Sequence, residues 1–458
     1  MNNPVIPQGM WRRRNASAPW PGLLRFYVTV HLIWIAMYIT LGKGFAYAGY
    51  QPLFVGELLA VVGTGVMAFS GRILDLARTK IGVVMTGFIV WQAWCTFPFL
   101  AEYQVDTLRD GVLWEYAIFA WITASMILRL PGLIDSLVSS YAGFLRSYVF
   151  VGPAMWLASV FLQQDLPHWP GTSVSIPSIK AGEYCVHMAG AFAFINVGIR
   201  RMSRWWLIAV FGLAFLGMNG RGGLLAFLSA CGFILFIRPS WKHLFLIAGS
   251  FALLILGMMA FEIRIATPKE SRELSVDQLY HSVTSAVAGS DNTLLEGTRT
   301  WRLAWWSKIW DYTVNGEFFW TGKGYGINLA DDDEFQVGTR DEPLRSPHSS
   351  HVTFLARSGV PGFLLWLTLQ TTWAGSLLIS HLRARRRAEH NWAMLFAWIL
   401  AYWVAFTVSA AFDVFLEGPM AGIPFWSLIG FGWGAHYLFQ MRIRLEREMC
   451  ISTSGVTV

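Results

Sequence analysis

The chain has 458 residues, 55% of them hydrophobic, 16% aromatic and only 14% charged, with a mean hydropathy of +0.45. A soluble domain carries about 25% charged residues, so this composition excludes a globule that must cover its whole surface with charge. It predicts an all-α, polytopic membrane protein. The net charge of +7 does not call for a nucleic-acid partner, because the basic residues lie in short runs between apolar segments rather than on one soluble face.

A helix crosses the hydrocarbon layer with about 20 apolar residues. In chain order, such windows fall near 23–42, 53–70, 81–99, 112–130, 143–162, 183–199, 205–219, 222–237, 244–262, 359–380, 391–410 and 421–440. The sequence therefore predicts about 12 transmembrane helices. Residues 1–262 hold the first nine, residues 263–350 form one large external loop, and 351–458 hold the last three with a cytoplasmic tail. The first window follows Arg12, Arg13 and Arg14, is too long for a signal-peptide core and lacks a small-residue cleavage site, so it is read as an uncleaved span.

Charge orients the spans. With the N-terminus inside, the inner segments carry Arg12–Arg14, Arg72, Arg78, Lys80, Arg129, Arg146, Arg200, Arg201, Arg204, Arg238 and Lys242. They also carry Arg383, Arg385–Arg387, Arg442, Arg444 and Arg447, against only Lys43, Arg109, Lys180 and Arg221 in the short outer connections. This asymmetry predicts that both termini are cytoplasmic. Cys95, Cys185, Cys231 and Cys450 form no CxxC pair, so neither a disulfide framework nor a zinc site is expected.

The residues able to carry chemistry gather on the outer side. Lys180 and Glu183 enter the sixth span from outside, and His187 follows inside it; an ionisable group within a span points to function, with a structural hydrogen bond as the competing reading. Arg221, in Asn219-Gly220-Arg221-Gly222-Gly223, opens the helix after a sharp turn, where backbone amides and a guanidinium suit phosphate; a snorkelling arginine is the alternative. The loop 263–350 predicts helices over Ser275–Ala288 and Gly297–Tyr312.

Arg299 and Arg302 are spaced i, i+3 and share a helical face. With Trp301, Trp305, Trp306 and Trp310 the segment reads as a helix lying on the bilayer surface. Its arginines would meet either a diphosphate or anionic lipid in general. The Gly322–Gly326 turn is not a nucleotide fingerprint, since no strand precedes it. Asp331–Glu334 reads as a solvated acidic loop rather than a metal site. Ser346-Pro347 predicts a helix start, placing His348 and His351 in a first turn whose positive end keeps an imidazole neutral and able to accept a proton; capping or a structural hydrogen bond is the competing reading.

The order of these features resembles the O-antigen ligase superfamily of bacterial polysaccharide ligases and polymerases. The elements are the outer Asn-Gly-Arg-Gly-Gly hairpin, an Arg-x-x-Trp-type helix, a Gly-x-Gly-x-Gly turn and a histidine before a leucine-rich span. The family pattern His-Asn-x-x-Leu followed by Gly-x-x-Gly becomes His348-Ser349-Ser350-His351-Val352 and Gly359-Val360-Pro361-Gly362. Ser349 departs from the usual asparagine, and His351 from a position more often aromatic.

The resemblance implies a helical glycosyltransferase of the lipid-phosphosugar class in the bacterial inner membrane, surrounded by membrane lipids and needing neither metal nor cofactor. Its donor would be a glycan on undecaprenyl diphosphate, and its acceptor lipid A–core or a second lipid-linked glycan. His348 would be the base, with His351 as rival and Glu183 next. Arg221, Arg299 and Arg302 would hold the diphosphate, while Lys180, Glu183 and His351 would line the donor or acceptor site. A transporter or flippase of a lipid-linked glycan is the alternative from another class.

Overall fold

The computed structural model describes residues 21–454 apart from 51–52, 171, 204, 240, 263–264, 267–272, 275–276, 278–292 and 338–342. Lipid offers a backbone no hydrogen-bond partner, so an apolar chain crossing it must bond within itself. Helices accordingly occupy every one of the twelve apolar windows. Numbered over those of ten residues or more, they are α1 Pro21–Leu41, α2 Val55–Ser70, α3 Lys80–Thr96, α4 Val105–Glu115, α5 Ile118–Arg129, α6 Leu133–Phe161 and α7 Ala181–Val197. Then follow α8 Trp205–Ala214, α9 Arg221–Ile237, α10 Trp241–Ala260, α11 Thr293–Val314, α12 Ser350–Arg386, α13 His390–Phe412 and α14 Pro419–Ser454.

Among the described residues, five helices are individually long and apolar enough to cross a membrane, and a sixth crossing is formed if α4 and α5, bent by 41°, are one span. Four further apolar helices are shorter. α7 lies at the centre, with every residue from Glu183 to Val197 buried, and packs on α9 and α13. α14 runs along α5 and α12 along α13 and α3. Phe88, Phe354, Trp366, Phe425 and Trp426 interlock where α3, α12 and α14 meet.

α12 is broken at Gly359, whose φ of 66° and ψ of −173° leave the helical region. A side chain there would meet the Phe319 and Trp320 carbonyls, so only glycine fits. At the break, the Val360 amide donates to Phe319 O at 2.8 Å, and the Trp91 indole donates to Ser358 O at 3.0 Å. The segment before the break, Ser350–Ser358, packs with the long connection that precedes it. Its Leu355 and Ala356 complete a small second core with Trp305, Ile309, Leu329 and Ala330.

The predicted helix over Gly297–Tyr312 is realised within α11, whereas that over Ser275–Ala288 lies outside the described residues except for Asp277. The expectation that the tryptophans of α11 rest on the bilayer is corrected. Trp305 is fully buried, the Trp306 indole donates to Pro347 O at 2.8 Å, and Trp301 packs on Trp305 and Phe335; only Trp310 is exposed. The 4-residue spacing of indoles served the loop's own core, which needs a wall of large apolar groups as much as a membrane does.

Candidate active site

The predicted helix start is also corrected. α12 begins at Ser350, not at Pro347, and Ser349 is its N-cap, with its hydroxyl accepting from the Val352 amide at 3.4 Å. Before it, the chain makes a tight turn in which the His348 amide donates to Ser346 O at 2.9 Å. His348 then takes a φ of 52°, the left-handed region that histidine enters more readily than most residues but still at a cost. His348 thus precedes the helix, while His351 lies in its first turn.

The two histidines have different surroundings. His351 Nε2 is 3.0 Å from the Thr407 carbonyl, and its Nδ1 receives the Trp366 indole at 3.0 Å. A carbonyl only accepts and an indole only donates, so the ring carries its proton on Nε2 and its lone pair is occupied. His348 instead turns Nδ1 toward the Asp413 carboxylate at 3.6 Å, its side chain 29% exposed, with Trp301 packed edge-on against the ring at 6.0 Å.

Asp413 is where several of the candidate residues meet. It caps the C-terminal end of α13, where unpaired carbonyls make a negative pole. Lys180 reaches its carboxylate at 3.3 Å, and Arg302 donates to the Phe412 carbonyl at 2.8 Å. The start of α9 abuts the same turn: a Cβ on Gly222 would stand 3.2 Å from Phe412 Cβ. This brings Arg221, the first residue of α9, to the same neighbourhood. Partial burial opposes charge on Asp413, but Lys180, the His348 ring and the Val414 amide outweigh it and hold the carboxyl well below its ordinary range.

The remaining predicted residues divide. Arg299 is exposed on the α11 face that also carries the half-buried Arg302. Glu183 is a cap: its carboxylate accepts from the Lys180 amide at 3.4 Å at the start of α7. His187 is buried against the Tyr402 hydroxyl at 2.6 Å. The acidic run is exposed at Asp331, Asp332 and Glu334, as expected, but Asp333 is fully buried, taking the Trp305 indole at 2.7 Å and Lys323 at 2.6 Å. The Gly322–Gly326 turn donates its amides to the chain itself: Lys323 N to Ala356 O, Gly324 N to Arg357 O and Gly326 N to Asp110.

Sequence reasoning missed Asp413, although an acid in a short connection between two apolar helices is a signal of function. It also missed Glu417, which accepts from the Thr353 hydroxyl at 2.8 Å. A third omission is the clamp around Asp110, which binds Arg345 through both oxygens at 3.1 and 2.9 Å and the buried Arg357 at 2.9 Å. No spacing links residues so far apart in the chain. Among the described residues, no three His, Cys, Asp or Glu side chains are grouped as a metal site requires.

An apolar cavity of about 170 Å³ lies away from these groups, within the membrane body between α1, α5, α6, α13 and α14. Its walls include His31, Tyr141, Tyr402 and Ser427 but not Arg221, Arg299 or Arg302. Its chemistry is that of hydrocarbon, so it does not compete with the polar cluster as the place of reaction.

No curated protein matches the chain. Residues 205–367 match the family model Wzy_C, O-antigen ligase. The matched segment runs from α8 into α12 and contains Arg221, Arg299, Arg302 and His348, while Lys180 and Asp413 lie on either side of it. The chain is thus similar to O-antigen ligases over that segment, about a third of its length, and its apolar helices point to a multi-pass membrane protein.

Proposed function

We propose that the protein transfers a glycan from undecaprenyl diphosphate to an acceptor hydroxyl at the outer face of the bacterial inner membrane. The acceptor is lipid A–core for a ligase or a second lipid-linked glycan for a polymerase. The observation that carries this reading is the convergence of His348, Lys180 and Arg302 on the Phe412–Asp413 turn, beside the helix that Arg221 begins. In this reading the chain crosses twelve times with both termini cytoplasmic, and the loop 263–350 is external.

The chemistry follows from the groups. His348 takes the acceptor's proton on Nε2 while Asp413 faces Nδ1, orienting the ring and stabilising the imidazolium that forms. The acceptor oxygen bonds to the anomeric carbon as the bond from that carbon to the diphosphate breaks, inverting the centre. The leaving diphosphate keeps the electron pair. Arg221, Arg302 and, at the exposed rim, Arg299 meet its growing charge; three guanidiniums fill the role a divalent cation has elsewhere, so the transfer is metal-independent. His351 holds the first turn of α12 in place, its lone pair being occupied.

The test is purified protein in detergent with a lipid-linked glycan, an acceptor and EDTA. A new glycosidic bond, lost in His348→Ala, supports the proposal. Absence of product, with movement of the lipid-linked glycan between leaflets in reconstituted vesicles, would favour a transporter instead.

A further inference from the structure

We infer that Asp110 is a positioning residue: it fixes the loop that carries His348 against the helical body that carries Asp413. This rests on the role of His348 as base. His348 stands on the connection before α12, whereas Asp413 stands between α13 and α14. Their 3.6 Å separation therefore depends on how these two parts are docked. Asp110, on α4 and 7% exposed, joins them at three points. Its carboxylate accepts from Arg345 Nε at 3.1 Å and Nη2 at 2.9 Å, from Arg357 Nη2 at 2.9 Å and from the Gly326 amide at 3.1 Å.

This clamp controls position as well as attachment. A bidentate guanidinium–carboxylate pair fixes direction along with distance. Arg345 lies three residues before His348, a span of at most about 10 Å of chain. That span is itself constrained, because Ser346 is buried and its carbonyl accepts from the His348 amide at 2.9 Å. Arg357 lies in the α12 segment that follows His348, and its Nη1 donates to Gly324 O and Ile327 O, both at 3.2 Å. Arg345 also gives Nη2 to Gly326 O at 2.8 Å, and its Nη1 lies 3.5 Å from Asp106. All three guanidinium nitrogens of Arg345 thus face the protein, which separates it from the arginines proposed to hold diphosphate. Other contacts across the same boundary, such as the Leu416 amide on the Ser350 hydroxyl at 3.1 Å and the Tyr325 hydroxyl on Gln92 Oε1 at 2.6 Å, are single and neutral.

The experiment measures kcat and donor KM for Arg345→Lys and Asp110→Asn, each alone and combined with His348→Ala. All are full-length purified proteins whose folding is checked by thermal melting. Lysine keeps the charge but replaces the two-pronged contact with a point contact, and asparagine removes the charge that both guanidiniums share. A base displaced by about 1 Å loses on the order of 10²-fold in rate. Arg345→Lys is therefore expected to lose roughly 10-fold in kcat and Asp110→Asn roughly 100-fold, with donor KM within about threefold of wild type. In the His348→Ala background neither substitution lowers the residual rate by more than about twofold, because no base is left to position.

If Asp110→Asn, which leaves two guanidiniums without their carboxylate, does not fold, Arg345→Lys decides alone. A folded Arg345→Lys with unchanged kcat, a change in donor KM alone, or the same fall with and without His348 each overturn the inference. Full activity of His348→Ala instead removes the base assignment on which it rests.

Discussion

Asp413→Asn isolates the charge that faces the proposed base while keeping the size of the side chain. Two unit charges 3.6 Å apart attract by about 1 kcal/mol in water and by about 4–5 kcal/mol at an effective dielectric near 20. The His348 and Asp413 side chains are 29% and 26% exposed, which places the pair between those limits, at about 2–3 kcal/mol. That interaction exists only while His348 carries the acceptor's proton, so its loss falls on the transition state and slows transfer by roughly 30- to 150-fold. Lys180 also loses its partner, but it is 45% exposed and water replaces the carboxylate at a cost of less than about 1 kcal/mol. The assay is single-turnover transfer with saturating lipid-linked donor. Asp413→Asn should lower the rate constant and leave donor affinity within about threefold, because an amide removes no cation from the diphosphate. An Asp413→Asn protein as fast as wild type, alongside an inactive His348→Ala, would refute the pairing.

His348→Ala should cost about 10²–10⁴ in rate, whereas His351→Ala should keep most of its rate and lose about 1–3 kcal/mol of stability, read by thermal melting, because it strands the Trp366 indole. Arg221→Ala should abolish transfer in a folded protein, and Arg302→Ala should chiefly raise the donor KM; an unchanged KM in the latter would mean that Arg302 only fastens α11 to the end of α13. For stability against pH, the Asp413 carboxyl is depressed on folding, so its contribution is complete above the unfolded value of about 3.9 and fades as pH falls below it. The melting advantage of wild type over Asp413→Asn should therefore hold from pH 8 to 5 and shrink below about pH 4. A cysteine at the exposed Glu317 should react with an impermeant thiol reagent in spheroplasts, and one at Arg385 only after permeabilisation; the reverse pattern would overturn the topology.

The sequence made the helices legible because lipid enforces them: each apolar window is occupied mainly by helix. The arginines and His348 were also legible, since a polar group on the outer edge of an apolar chain has few reasons to be there. What stayed hidden was geometry made by contacts across the chain. Nothing in Ser346-Pro347 announced that the helix would wait for Ser349, because that depends on Trp306 occupying the Pro347 carbonyl and on the turn at His348. The tryptophans of α11 carried no mark to distinguish a bilayer from a loop core. His351 was a rival to His348 until the positions of Trp366 and Thr407 were known, because only its hydrogen-bond partners show that its lone pair is in use.

The meeting of these residues at Phe412–Asp413 also sets a timetable for biosynthesis. Lys180 and Asp413 are 233 residues apart, and a ribosome adding 5–20 residues per second needs roughly ten to fifty seconds to cover that distance. In the proposed topology, the arginines and His348 are made during this interval and reach the outer surface without the carboxylate that gathers them. On the proposed function, the nascent chain is accordingly inert toward a lipid-linked donor until α13 has inserted and the turn after it is in place. A chain terminated within α13 would insert its earlier helices, carry every residue of the matched segment and still lack a working centre.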